Sequence, residues 1–193
     1  MIRSIKSNNP QFKKVEFHNG FNVILADRNR DNDSEEKRTR NGAGKTTLVE
    51  IIHFCLGAQV SKNSVFKNEN LQGWSFVLEM DIGTKIYSIE RYVNCPGKIY
   101  IDGDLSALIF DCKFDKKVNR YYVSPSAFNK AMLEELYGLQ TNENNQKYIP
   151  SFRELISYAI RRNVEGYKDA FEFFAKQKAF SVQSCNAFFL NLS

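Results

Sequence analysis

Apolar and polar residues change period several times along this chain, and each change predicts an element. Short half-apolar runs over Met1–Lys6, Lys14–Phe17 and Phe21–Ala26 predict three strands, with His18-Asn19-Gly20 turning between the last two. In the third, Val23-Ile24-Leu25-Ala26 is an unbroken apolar run, the pattern of a strand covered on both faces. Residues 27–40 are then charged and polar throughout and predict a solvated loop. From Gly44 onward the period becomes helical: Leu48, Ile51, Ile52, Cys55 and Leu56 share one face, and Gly57 is the stop.

Strict alternation returns at Trp74, Phe76, Leu78, Met80 and Ile82, which predicts a half-buried strand. Gly83-Thr84, Pro96-Gly97 and Asp102-Gly103-Asp104 punctuate the next runs, Lys85–Val93, Lys98–Ile101 and Leu105–Phe110, so residues 74–112 read as an antiparallel meander. Ser124-Pro125 opens a helix carrying Phe128, Met132 and Leu136 and ending at Gly138. Ser151-Phe152-Arg153-Glu154 is a capping box, followed by Leu155, Ile156, Ala159 and Ile160 at helical spacing. Tyr167, Phe171, Phe173, Phe174, Phe180, Phe188 and Phe189 form an aromatic run that suits core or interface packing.

With 193 residues, 42% hydrophobic and 25% charged, the chain can bury one core, and it is read as a single unit. No apolar window reaches the roughly 18 to 20 residues of a membrane span, and the opening Met1-Ile2-Arg3-Ser4 has no leader pattern, so a bacterial cytoplasmic protein is expected. The net charge of +5 permits a phosphate-bearing partner without demanding one. Cys55, Cys95, Cys112 and Cys185 include no C-x-x-C pair and read as reduced thiols, and His18 and His53 as isolated structural residues.

One segment carries chemistry. Arg40-Asn41-Gly42-Ala43-Gly44-Lys45-Thr46-Thr47 is nearly a complete phosphate-binding loop. Gly42 and Gly44 let the backbone wrap a phosphate, and the new helix aims its N–H groups and positive dipole end at the oxygens. Lys45 supplies a mobile charge for the β- and γ-phosphates of ATP, and the Thr46 hydroxyl is placed to ligate Mg²⁺. Asn41, Gly42, Ala43, Gly44, Lys45, Thr46 and Thr47 are therefore the candidate nucleotide site. The full pattern has glycine where this chain has Thr39; the polar insert at 27–40 allows the turn to be made earlier. Leu108-Ile109-Phe110-Asp111 imitates the apolar strand and carboxylate of an ATPase, but Asp111 is followed by Cys112 and sits in the meander, which marks it as a decoy.

These residues resemble the N-terminal half of the ATPase head of SMC-type proteins, the ABC-type P-loop class that includes RecN. The order matches as well: an opening strand group, the loop at 41–47, a meander with an Arg-bearing strand like Ile89-Glu90-Arg91-Tyr92, then helices. Within the class the chain is similar to a bacterial group with openings like Ser7-Asn8-Asn9-Pro10, some of whose members lie near phage-defence genes. The resemblance implies an α/β P-loop NTPase lobe over 1–193, its helical part from 124 leading toward a coiled coil. It also implies ATP and Mg²⁺ as ligands, the C-terminal half of the same head or a second head as partner, and an association with DNA. Family heads carry a metal-binding Gln where this chain has Arg162. Their signature segment and Asp-Glu pair are not found in this chain, which on this reading holds no catalytic residue and is inactive alone. Two rival readings stay open: a complete small NTPase or kinase using Asp111, and a non-hydrolysing interaction module.

Overall fold

The computed structural model describes residues 1–25, 44–105, 111–140, 149–162, 165–168, 172 and 177–192. Within them the chain runs β1 (Ile2–Ser7), β2 (Val15–Glu16), α1 (Lys45–Cys55), β3 (Ser75–Ile82), β4 (Lys85–Tyr92), β5 (Ile99–Asp102), β6 (Lys113–Asp115), β7 (Arg120–Val123), α2 (Pro125–Tyr137), α3 (Phe152–Ala159) and α4 (Ala179–Phe189). The strands form one sheet in the order β2-β1-β3-β4-β5-β7-β6, and every pairing is antiparallel.

Alternation decides which face of this sheet is covered. Phe76, Leu78, Met80 and Ile82 of β3 are buried, and their partners Arg91, Ile89 and Tyr87 on β4 point to the same side. Against that face lie Ile51, Ile52, Phe54 and Cys55 of α1, Phe128, Met132 and Leu133 of α2, and Phe152, Leu155 and Ile156 of α3, all in one core. On the other face the sheet is polar and cross-linked: Glu79 takes hydrogen bonds from Ser4 (2.7 Å) and Lys6 (2.7 Å), and Arg120 bridges Glu90 and Asp102. Such half-exposed pairs add little stability but oppose a slip in register, which would carry charges into the core.

The helix signals act as expected. Ser151 accepts from the Glu154 N–H while Glu154 accepts from the Ser151 N–H, so the capping box is complete. Ser124 caps α2, Pro125 occupies its first turn, and Gly138 closes it at φ 67°. Gly57, at φ 80°, follows α1.

Two strand expectations are corrected. Residues 21–25 form no strand, and Phe21 (94% exposed), Val23 and Leu25 stand in solvent; Ala26 lies outside the described residues. An apolar run becomes a buried strand only where neighbours cover it, and no described element does so here. Leu105 lies in a turn, and the rest of the expected strand, 106–110, falls outside the described residues. The meander continues through β6 and β7 instead, joined by a turn with Asn119 at φ 54°. That hairpin has no clean apolar alternation, because it is the outer edge of the sheet; cross-strand contacts such as Phe114 against Tyr121 hold it. Of the aromatic run, Tyr167, Phe180 and Phe189 are substantially exposed, Phe188 packs on the core, and Phe171, Phe173 and Phe174 fall outside the described residues.

Candidate nucleotide site

The site is built on the start of α1. Gly44 is the N-cap at φ 77° and ψ 3°, a left-handed conformation that L side chains avoid, and a Cβ there would meet nothing within 4 Å. Glycine is therefore required by the backbone and not by crowding. Among the described residues, no side chain caps the helix. The Leu48 N–H makes the first helical bond, to the Gly44 carbonyl (2.9 Å), so the N–H groups before it have no intrahelical acceptor. Lys45 and Thr46 are exposed in this first turn, with Thr47 half-buried beside them. Uncapped amides, a helix dipole, an ammonium group and two hydroxyls form a donor set that fits a phosphate chain. Thr46 is the residue that would hold Mg²⁺, a metal that keeps most of its positions for water and phosphate oxygens. Asn41, Gly42 and Ala43, like the insert at 27–40, lie outside the described residues.

The far end of α1 is fixed by Arg91, which the sequence marked only as part of the strand Ile89-Glu90-Arg91-Tyr92. Arg91 is 2% exposed. Its Nη1 donates to the carbonyls of Phe54 (2.6 Å) and Ala58 (2.7 Å), and Nε and Nη2 donate to the Pro96 carbonyl (2.9 and 2.5 Å). The guanidinium also lies 4.5 Å from the Phe54 ring centroid. Among the described residues it has no carboxylate partner, and burial pulls its pKa down to about 10. The Phe54 carbonyl, which also accepts from the Gly57 N–H (3.1 Å), thus meets a cation at the negative end of the dipole, and the Ala58 carbonyl just beyond the helix gains a donor.

Beside it lies a second cluster. Arg153 donates from Nη1 to the Leu56 carbonyl (2.9 Å) and from Nη2 to Nδ1 of His53 (2.6 Å). Since Nδ1 accepts, the proton of the neutral ring sits on Nε2, which donates to the Ile160 carbonyl (2.8 Å). Burial, aided by Arg162 and Arg153, pushes the His53 pKa down to about 3. His53 is structural, as expected, but far from isolated: it ties α1 to both ends of α3. Its contact with Arg153, 100 residues away in the chain, left no local signal.

Arg162 faces α1 as well, with Nε 3.5 Å from Oε1 of Glu50. Glu50 is four residues after Thr46, on the same side of the helix. A guanidinium has no lone pair to give a metal, so Arg162 can reach a metal site only through its charge. Asp111 is exposed and precedes β6, three strands beyond β4 in the sheet. Since α1 packs on β3 and β4, that separation alone is roughly 14 Å at the usual strand spacing. His18 is exposed. Cys55, Cys95, Cys112 and Cys185 are free thiols, and burial raises Cys55 to about 12 and Cys185 to about 11. Among the described residues, no group of three metal-ligating side chains occurs, and no helix is long and apolar enough to cross a membrane.

A family model described as "AAA domain" matches residues 2–184. The chain is also 29% identical over 154 residues to the uncharacterized protein YydD of Bacillus subtilis (strain 168), covering 78% of this chain and 23% of that protein. It therefore spans about a quarter of that relative's length. No solved structure matches significantly. A glycine-capped helix beginning Lys-Thr-Thr, inside a match that takes in nearly all 193 residues, places this chain in the AAA-domain family of P-loop ATPases.

Proposed function

We propose that the chain is the N-terminal, ATP-binding lobe of an SMC/RecN-like ATPase head, in which ATP joins two heads and hydrolysis separates them. The start of α1 carries this reading: a left-handed glycine cap with no side chain of the described residues over the amides, then exposed Lys45 and Thr46. Lys45 holds the β- and γ-phosphates and Thr46 the Mg²⁺, with the backbone of 41–44 around the anion. The carboxylate pair and signature segment come from another stretch of polypeptide, the C-terminal half of the head or a second head. The chain's 23% share of its Bacillus relative's length supports that division. DNA is the proposed partner of the assembled head, and phage defence the proposed setting, both by resemblance alone.

The rival small enzyme would need Asp111 at the metal. Its place at the far edge of the sheet weighs against this, and Asp111→Asn is expected to leave nucleotide binding unchanged.

The test is titration of this chain with a fluorescent ATP analogue and Mg²⁺. Saturable binding that Lys45→Ala weakens at least tenfold, with no turnover above background, is the expected result. Equal binding by both proteins, or brisk hydrolysis by this chain alone, would overturn the reading.

A further inference from the structure

A cavity of about 260 Å³ lies between α1 and the segment 58–66, lined by Glu50, Phe54, Gln59, Ser61, Ser64 and Arg162 among others. Neither Lys45 nor Thr46 lines it. Glu50 is five residues beyond Lys45, so its Cα lies roughly 7.5 Å farther along the helix axis. At this volume the cavity is at or below the small end for drug-sized ligands, and suits a single small group better than a nucleotide.

Its charge is unbalanced. Among the described residues, Arg153 and Arg162 interact electrostatically with each other and with the carboxylate of Glu50, and Arg153 also with Arg91. Arg91 and Arg153 spend their donors on carbonyls and a neutral imidazole, which leave their charges uncompensated. Arg162 is held less firmly. Its Nε is buried without a hydrogen-bond acceptor, and the Glu50 oxygen at 3.5 Å is an ion pair rather than a hydrogen bond. A buried guanidinium N–H without an acceptor is costly and rare in a native structure. The Arg162 side chain is nonetheless 33% exposed, and it forms part of the cavity wall. Ser64, on the same wall, accepts from the Phe66 N–H through Oγ, which leaves its hydroxyl hydrogen free to donate.

We propose that this cavity is a second phosphate site, in which a phosphate oxyanion takes the guanidinium of Arg162 from Glu50 and accepts from the Ser64 hydroxyl. Arginine suits this role because its fork can meet two oxygens at once. The Glu50 carboxylate is the built-in competitor: it occupies Arg162 when the site is empty and must yield it when the anion enters. The phosphate is either the free ion or a phosphate of a nucleic-acid backbone.

The test uses the whole chain carrying Lys45→Ala, which removes the ammonium of the phosphate loop, and follows the arginine Nε–Hε resonances by NMR. The Arg162 signal is assigned by its loss in Arg162→Lys. Inorganic phosphate should move it saturably at millimolar concentration. Glu50→Gln should tighten that binding a few-fold, the factor to which a half-exposed ion pair's worth converts. A short single-stranded oligonucleotide forms the second arm. If it moves the same resonance at lower concentration, the backbone is the source, and if it does not while free phosphate does, the ion is. The proposal is overturned if neither titrant gives a saturable shift, or if Glu50→Gln, folded by its amide spectrum, binds phosphate more weakly than its parent.

Discussion

Replacing Arg91 with Met keeps much of the side chain's length and its packing on Phe54 while removing every donor. Four hydrogen bonds disappear, the carbonyls of Ala58 and Pro96 lose their partner, and that of Phe54 keeps the Gly57 N–H at 3.1 Å. Each buried acceptor left unsatisfied costs about 1 to 3 kcal/mol. Against this stands a gain, because the native fold no longer buries a guanidinium without a carboxylate, whose desolvation amounts to several kcal/mol before compensation. Taking the middle of the first range for two carbonyls and subtracting part of that gain leaves a net loss of about 2 kcal/mol. For a chain of this size that lowers the Tm by roughly 4 to 8 °C. Urea unfolding followed by circular dichroism, with thermal scans alongside, measures both. Arg91→Lys should fall between wild type and Arg91→Met, since an ammonium cannot span three carbonyls. A loss below about 1 kcal/mol for Arg91→Met would refute the argument, because the far end of α1 would then not depend on this cation.

His53 predicts a pH dependence. Its folded pKa of about 3 lies below the ordinary 6.5, so the unfolded chain binds the proton first as pH falls. Stability is therefore retained above about pH 6.5 and lost toward pH 3, at up to about 1.4 kcal/mol per pH unit from this group. His53→Gln, whose amide can still accept from Arg153 and donate to Ile160, should flatten that slope in urea titrations across this range. Gly44→Ala meets no atom but must hold φ 77°, so it should cost about 1 kcal/mol of stability; an added loss of ATP-analogue affinity of tenfold or more would mark the cap as a phosphate contact. Ser151→Ala removes half of the capping box and should cost about 1 kcal/mol by urea unfolding, with nucleotide affinity unchanged.

Much of this molecule was legible in its residues because the signals are local. A Gly-x-Gly-Lys-Thr string, a Ser-x-x-Glu box, a Pro at a helix start and an alternating strand each act within one or two turns of chain, where backbone geometry dictates what can form. Those signals place α1, β3, β4, α2 and α3, and single out Gly44, Lys45 and Thr46, from the sequence alone. The apolar run at 21–25 misled for the same reason: alternation and hydrophobicity record what a segment can bury, whereas burial needs a neighbour. Only the tertiary structure could decide that Arg91 occupies a core position under the end of α1, that Arg153 reaches His53, or that Arg162 meets Glu50 beside a cavity. Each of these contacts joins residues between 33 and 112 positions apart, held together by sheet register and helix packing, and no stretch of sequence carries that distance within itself.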